Sequence, residues 1–185
     1  MTSTFYQTNL AALREQHPEA ELSAVTYQVG EEFFEAQKEI ELEEELKGFT
    51  SVIVLSQDSK IVLARKSYGT PGWCLPGGGV ELDESFMEGA KREILEELGV
   101  RLENVSLVLI EEETFLSPSG EQAHSLLGVF AGDMRRFALP PLTDGAKEEG
   151  LELALFDPEN LPEEMGLTDR QKIEAYLYAD DDSAA

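Results

Sequence analysis

The 185-residue chain is 42% hydrophobic, which suffices for one globular domain with a substantial core. Its 38 acidic residues outnumber 14 basic ones and give a net charge of -24, which argues against unassisted binding to nucleic acid or to an anionic membrane. So large a negative excess also suggests, as a hypothesis, a halophilic protein that has to stay hydrated in high salt.

The cysteine count and the N-terminal sequence bear on the cellular compartment. The single cysteine, Cys74, excludes an internal disulfide, fits a reducing compartment and is expected to be a small buried residue. The chain begins with neither a basic segment nor an apolar run of signal-peptide length, and 18 apolar residues never run together. We therefore expect a soluble, cytoplasmic protein.

Residues 1–47 form an acidic stretch with a tendency to be helical. Two helical patterns, one near Leu10 and one at 33–40, are separated by an extended piece at 24–29. We expect an N-terminal extension that covers the substrate cleft, forms a homodimer surface or packs against the domain that follows. The acidic run at 41–45 is predicted to be a solvated helix end.

Alternating, β-branched segments begin at Phe49. The stretch FTSVIVLS, a turn at 57–59 and the stretch KIVLARK predict a β-hairpin. A connection at 68–76, rich in Gly and Pro, and a short strand follow. Further along, the pattern predicts two long strands at 102–115 and 125–133 joined by a turn at 117–120, a loop at 134–150, a strand at 151–156, a final amphipathic helix at 167–178 and an acidic tail at 180–185.

A capped helix is predicted to begin near Ser85. Ser85 and Glu88 fit a capping box, in which each side chain accepts a hydrogen bond from the backbone N–H of the other residue. An apolar stripe at helical spacing follows, and Gly99 supplies the stop. The stripe consists of Met87, Ala90, Ile94 and Leu98.

A second face of this helix carries three carboxylates. At about 100° per residue, Glu93, Glu96 and Glu97 fall within one turn of each other. Three like charges this close repel each other unless a cation lies among them, and ligands that are all oxygens suit Mg²⁺ or Mn²⁺. The glycines at 77–79 allow the backbone to approach such an ion and a phosphate closely, because they carry no Cβ.

Basic side chains near the glycines are candidates for phosphate binding. Arg65 and Lys66 end the second hairpin strand, and they are predicted either to clamp a phosphate or to form a solvated strand end. Arg92 is predicted to form ion pairs with Glu84 and Glu88 and so to have mainly an orienting role.

Other aromatic and polar candidates carry weaker signals. Trp73 is expected to pack in the core rather than to stack on a base. Along their strand, alternation points Glu112 away from Glu111 and Glu113, so at most one side of this trio can reach a site. His124 could act as a base, but such a residue is more often only polar at a strand end.

The spacing around the capped helix resembles a known family. Gly78, five residues, Glu84, seven residues and then REILEELGV at 92–100 look like a complete Nudix box with no departures. The resemblance implies an α+β fold, an α/β/α sandwich with a mixed sheet between helices, over residues 48–185. It also implies Mg²⁺- or Mn²⁺-dependent hydrolysis of the pyrophosphate bond in a nucleoside diphosphate linked to another moiety X.

The same resemblance implies roles for particular residues. Glu93, Glu96 and Glu97 would hold the metal together with the Gly77 carbonyl. Either Glu93 or a glutamate near the end of the 134–150 loop would be the general base.

For that loop glutamate, Glu149 is preferred and Glu152 is the alternative. The residues expected to contact the substrate are Arg65, Lys66, Gly78 and either Phe115 or Phe130.

The partner is expected to be a small nucleotide-like diphosphate. The segment at 115–118 lacks the proline or tyrosine placement of similar enzymes that act on ADP-ribose or dinucleoside polyphosphates, so a nucleoside triphosphate, including an oxidised one, is preferred.

Two alternative functions stay open. A nucleotide-sensing Nudix domain would bind its ligand without hydrolysing it. Such domains usually lose glutamates of the Nudix box, whereas the box of this chain is intact. A prenyl diphosphate isomerase uses the same scaffold but would need a catalytic cysteine and a longer chain. Cys74 precedes the predicted metal-binding helix, and nothing else in the sequence supports this alternative.

Overall fold

The computed structural model of the protein describes residues 3–67 and 72–178. Part of the predicted connection at 68–76 and the predicted tail at 180–185 lie outside the described residues. The helices are α1 (Thr4–Gln16), α2 (Glu31–Glu43), α3 (Phe86–Leu98), α4 (Asp144–Glu148) and α5 (Leu167–Tyr178). The strands are β1 (Glu21–Gln28), β2 (Gly48–Leu55), β3 (Ile61–Arg65), β4 (Gly79–Val80), β5 (Glu103–Leu116), β6 (Gln122–Asp133) and β7 (Glu152–Phe156).

The strands form a mixed sheet in the order β1-β5-β6-β2-β3-β7, and β4 pairs with β2. Strand β1 runs parallel to β5, whereas β2 is antiparallel to β3 and β4, and β3 is antiparallel to β7. This combination of a mixed sheet with flanking helices confirms the predicted α+β class. Within the described ranges, no helix is both long enough and apolar enough to cross a membrane.

One compact unit comprises residues 1–51, 78–90 and 107–130. In it, β1 pairs with β5 from Glu21 beside Leu109 to Gln28 beside Leu116. The two predicted N-terminal helices are confirmed as α1 and α2, and the extended piece begins three residues earlier than the predicted 24–29. The extension therefore contributes a strand to the sheet as well as two helices. Its buried apolar side chains include Tyr6, Leu10, Leu13 and Phe34.

The second compact unit comprises residues 52–77, 91–106 and 131–185. Leu55 of β2 pairs with Ile61 of β3, which confirms the predicted hairpin and its turn. The Ser56 hydroxyl fixes that turn, since it donates to Asp58 at 2.7 Å and accepts the Lys60 N–H at 2.9 Å. The sequences of β2 and β3 contain continuous runs of apolar residues, because both faces of these strands are covered. Their fully buried residues include Val52, Ile53, Val54, Ile61, Val62 and Leu63.

A short helix interrupts the segment at 134–150, which was predicted to be a loop. Helix α4 begins after Thr143, whose hydroxyl accepts the Ala146 N–H at 3.0 Å. Five residues are too few to produce a helical hydrophobic repeat, and Gly145 weakens the helical signal further. The N-cap threonine was a local sign of this helix.

Candidate metal centre

The capping box at the start of α3 forms as predicted. The Ser85 N–H donates to Glu88 Oε2 at 2.8 Å, and the Glu88 N–H donates to Ser85 Oγ at 3.2 Å. Behind this cap, Ala90 and Ile94 have no exposed surface and Leu98 has 1%, so the predicted stripe is largely confirmed. At the first turn, however, Phe86 is the buried residue and Met87 is only partly buried. The cap and the stripe together fix the rotation of the helix about its axis.

Removing the cap should destabilise the protein measurably. We expect Ser85→Ala to lower the free energy of unfolding by about 1 kcal/mol, because it leaves the Glu88 N–H without its side-chain acceptor. Urea denaturation measures this change. The matched control is Ser106→Ala, which removes the hydroxyl of an exposed strand residue and should have little effect. Equal stability of the two variants would contradict the role given to Ser85.

The three carboxylates of α3 differ in their exposure. The side chain of Glu97 is 7% exposed, that of Glu93 is 16% exposed and that of Glu96 is 60% exposed. Glu97 lies one turn after Glu93, on the side of the helix next to the apolar stripe. The exposure of the three side chains therefore increases from the buried Glu97, through Glu93, to the solvated Glu96.

Glu97 is held by a peptide group and by a lysine. The Gly77 N–H donates to Glu97 Oε2 at 3.1 Å, and Lys66 Nζ lies 3.1 Å from Glu97 Oε1. Gly77 has a φ of 147°, a conformation that favours glycine. The glycine loop thus brings a backbone donor to the most buried acid of the helix.

Arg92 pairs with the other two carboxylates of the trio. Its Nη1 donates to Glu93 at 2.7 Å and to Glu96 at 3.3 Å. Glu84 also accepts the Glu81 N–H and Glu88 accepts the Ser85 N–H, and the predicted pairs of these two acids with Arg92 stay a prediction. The contacts of Arg92 therefore include two of the candidate metal ligands, and its orienting role stays a prediction.

Burial is the main influence on the pKa of Glu97 and on that of Glu93, the two less exposed acids of α3. It raises the pKa of Glu97, against the opposing effects of Lys66 and of the Gly77 N–H, and it raises the pKa of Glu93 against the effect of Arg92. A raised pKa in the folded protein means that ionising these groups at neutral pH lowers stability, and that this cost disappears as the pH falls through the pKa. A bound cation would offset the same cost.

The donor atoms fit Mg²⁺ or Mn²⁺ chemically, although the side chains are paired with basic groups. Carboxylate and carbonyl oxygens suit a hard divalent ion that keeps several of its waters. Across the described ranges 3–67 and 72–178, no three His, Cys, Asp or Glu side chains converge on a point where a metal ion could be held. Instead Lys66 and Arg92 lie against the acids. The predicted set of ligands stays a proposal.

The glycine loop is tightly packed where it enters the sheet. The Gly78 carbonyl accepts the Thr50 N–H at 2.8 Å. A Cβ added at Gly79 would come within 2.7 Å of Leu46, so a larger residue would force a shift there. The Gly78 carbonyl therefore serves sheet pairing, and Gly78 stays only a predicted substrate contact.

The predicted phosphate clamp is divided between two places. Arg65 donates to Glu152 at 2.6 and 3.1 Å and lies over the Trp73 ring, 4.9 Å from its centroid. Lys66 instead reaches the buried acid Glu97. Of the two basic residues, Lys66 is the one placed at the carboxylates. Trp73 is 9% exposed, as expected for a core residue.

The region of the predicted general base is tied directly to α3. Thr143 caps α4 and also donates its hydroxyl to the Glu96 carbonyl at 2.6 Å. Glu149 follows as the C-cap residue of α4, with an exposed side chain and a carbonyl that accepts from Ser67 at 3.3 Å. The alternative, Glu152, accepts from Arg65, and the choice of Glu149 over Glu152 stays a prediction. Sequence reasoning missed the bridging role of Thr143.

Comparison with known proteins gives the family. The family model for the NUDIX domain matches residues 41–177. The chain belongs to the Nudix family.

Two curated proteins resemble part of this Nudix chain. It is 43% identical over 60 residues to the m7GpppN-mRNA hydrolase NUDT17 of Xenopus laevis, a match that covers 30% of this chain and 20% of that protein. It is 36% identical over 56 residues to the RNA pyrophosphohydrolase of Ruthia magnifica subsp. Calyptogena magnifica, covering 30% of this chain and 31% of that protein. The matches thus span less than a third of either curated relative.

A solved structure resembles more of the chain. The crystal structure of the MutT NUDIX hydrolase from Burkholderia pseudomallei matches with a TM-score of 0.55 and 25% sequence identity. The match covers 68% of this Nudix chain and 94% of the other. It confirms the fold that the box implied.

The aromatic residues predicted to stack on a base are covered in this Nudix protein. Phe115 is 6% exposed, and its ring is stacked on Tyr27 with centroids 5.7 Å apart. Phe33 lies edge-on to the same ring at 5.4 Å, and Phe130 has no exposed surface. These contacts place Phe115 in an aromatic core cluster and argue against a substrate role, because its ring faces other rings.

The remaining acidic and histidine candidates form pairs within the first compact unit. Glu111 accepts from the Tyr27 hydroxyl at 3.1 Å, and Glu112 accepts from the Tyr6 hydroxyl at 3.2 Å. His124 Nδ1 lies 3.2 Å from Glu41 Oε1, and Glu41 keeps only 16% of its side-chain exposure. The prediction that Glu41 belongs to a solvated helix end is therefore wrong for this residue, since a histidine from another element covers it.

Proposed function

We propose that this Nudix protein hydrolyses a pyrophosphate bond in a nucleoside diphosphate linked to another moiety X, with Mg²⁺ or Mn²⁺ as cofactor. The observation that carries the proposal is the buried Glu97 beside the glycine loop, with Gly77 and Lys66 on its two oxygens. A buried carboxylate such as that of Glu97 is suited to bind a divalent ion that is shared with a phosphate.

We propose the following roles for the acidic residues of α3. Glu93, Glu96 and Glu97, with the Gly77 carbonyl, would hold the ion, and Arg92 would orient two of these acids. Such an ion supplies neutralisation of the charge that develops on the phosphate oxygens.

The other roles belong to residues outside α3. Glu149 would accept the proton of the attacking water. Its side chain is exposed at the C-terminal end of α4, and Thr143, at the other end of α4, is hydrogen-bonded to α3. Lys66 would contact a phosphate oxygen.

The preferred substrate is a small nucleotide, with a nucleoside triphosphate, oxidised or not, as first choice. A long RNA would bring many phosphates to a chain with a net charge of -24, which disfavours binding over an extended surface. The names of the two curated relatives refer to RNA and to mRNA, so a 5′-triphosphate RNA belongs in the tests.

We also propose a cytoplasmic location and adaptation to high salt. For the extension at 1–47, the proposed roles are to cover the substrate cleft, to form a homodimer surface or to pack against the side of the domain at 48–185.

Phosphate release measures this function directly. The full chain is incubated with nucleoside triphosphates, an oxidised nucleoside triphosphate, nucleotide sugars and a short 5′-triphosphate RNA, each with Mg²⁺ and with EDTA. We expect Mg²⁺-dependent release of phosphate or pyrophosphate from at least one nucleotide. Tight nucleotide binding without release would instead support the sensing alternative, and conversion of a prenyl diphosphate would support the isomerase.

The structure gives little support to the isomerase alternative, because Cys74 lacks the properties of a reactive thiol. Its Sγ donates to the Ala64 carbonyl at 3.4 Å, and the residue is partly rather than fully buried. Burial raises the pKa of the Cys74 thiol to about 11, and the nearby Asp169 carboxylate adds to the effect. The thiol therefore stays protonated through neutral pH.

This property predicts slow alkylation. At pH 8 we expect iodoacetamide to react with Cys74 roughly 100-fold more slowly than with glutathione, since only about one thiol in a thousand is ionised at three units below its pKa. The rate should rise steeply only as the pH approaches about 11. Mass spectrometry follows the reaction, and Cys74→Ala should keep its pyrophosphohydrolase activity. Labelling as fast as that of glutathione would show that the thiol is activated.

A further inference from the structure

Lys66 is paired with an acidic side chain, which is not the environment expected for a lysine whose role is only to bind a phosphate. Its Nζ lies 3.1 Å from Glu97 Oε1, and its side chain is 29% exposed against 7% for Glu97. The other oxygen of Glu97 accepts the Gly77 N–H at 3.1 Å. A carboxylate with so little access to water needs a full positive charge beside it, and the lysine supplies that charge.

We propose that Lys66 fills the cation position of the metal-free site and is exchanged for the divalent ion when the ion binds. The proposal rests on the proposed function, since it assumes that Glu97 is a metal ligand. Both Glu97 oxygens already have partners, so an incoming ion has to displace one of them. The Gly77 donor is part of the backbone, whereas the lysine amine sits on a flexible four-carbon stem and can move away at little cost.

Arg92 is less suited to this exchange. Its guanidinium is on α3 itself and spans Glu93 and Glu96, and Glu96 is 60% exposed and partly solvated. Lys66 comes from the end of β3 and neutralises the acid that has the least contact with water. The lysine thus competes with the ion for one carboxylate oxygen.

The exchange gives one lysine two successive partners. Without metal, its charge offsets part of the cost of burying the Glu97 carboxylate. With metal bound, the displaced amine remains at the end of β3, close to where a phosphate shared with the ion would lie. Metal binding would therefore prepare the substrate contact, and substrate phosphate would in turn favour the metal-bound arrangement.

Metal affinity tests the exchange without any measurement of turnover. Isothermal titration of the full chain with Mg²⁺ and with Mn²⁺ compares the wild type with Lys66→Met. We expect Lys66→Met to bind both ions roughly tenfold more tightly, because the competing ammonium is gone. The matched control is Lys60→Met, which removes the same charge from a lysine that faces Asp58 and Asp157, and its affinity should equal that of the wild type.

Two outcomes separate this inference from the proposed function. Wild-type binding with unchanged or weaker affinity in Lys66→Met would overturn the exchange alone. A wild-type chain that binds neither ion would overturn both proposals. If Lys66→Met does not fold, lysine side-chain NMR of the wild type replaces it, because the Lys66 ammonium signal should shift on addition of Mg²⁺ and should not shift in Glu97→Gln.

Discussion

Glu97→Gln is expected to reduce kcat by roughly 10²–10⁴-fold at saturating Mg²⁺. Glutamine keeps the size of the side chain and can still accept the Gly77 N–H, so the change removes little more than the negative charge. If that charge holds the essential ion, the developing charge on the substrate phosphate loses its counter-ion. Release of phosphate or pyrophosphate from the best substrate of the panel measures the loss.

A matched control isolates the effect of this one carboxylate. Glu174→Gln removes the same charge from an exposed position on α5 and should leave kcat unchanged. Thermal unfolding verifies that Glu97→Gln is folded, and we expect a small change, because the variant loses a costly buried charge while Lys66 keeps access to water. Turnover within about tenfold of the wild type would refute the assignment of Glu97.

Glu149→Gln should also lower kcat by roughly 10²–10⁴-fold, but it should leave metal affinity unchanged. Glu149 lies at the end of α4, away from the acids of α3 along the chain, and its expected task is to take a proton rather than to hold the ion. Steady-state kinetics together with Mn²⁺ titration separate these two effects.

Glu93→Gln provides the comparison for Glu149, because it is the other candidate base. As a metal ligand, Glu93 should lose metal affinity on substitution, and part of its activity should return at high Mg²⁺ concentration. If Glu149→Gln keeps the wild-type kcat while Glu93→Gln loses activity at every Mg²⁺ concentration, the base is Glu93. That result would transfer the role within the site without changing the reaction.

Local sequence patterns predicted the parts of the fold whose causes are local. The capping box needs only Ser85 and Glu88, three residues apart, and the stripe on α3 follows from helical spacing. The hairpin was predictable for the same reason, since β-branched runs flank a turn that Ser56 fixes with its own neighbours. In each of these cases the stabilising contacts lie within a few residues of one another.

Contacts between distant residues account for what the sequence did not predict. Nothing near Lys66 shows that its amine meets Glu97, and nothing near Glu41 shows that it meets His124. The parallel pairing of β1 with β5 also depends on residues far apart in the chain. Phe115 is a further example, since an aromatic strand residue can equally face a ligand or another ring.

The most direct test of the proposed metal site is an anomalous diffraction measurement on crystals of the full chain soaked in Mn²⁺ with a non-hydrolysable nucleotide. We expect a metal peak roughly 2.0–2.3 Å from carboxylate oxygens of α3, with Glu97 among the ligands and Lys66 moved from Glu97 to a phosphate oxygen. An ordered nucleotide with no metal at these acids, and with Lys66 still paired to Glu97, would contradict the proposal.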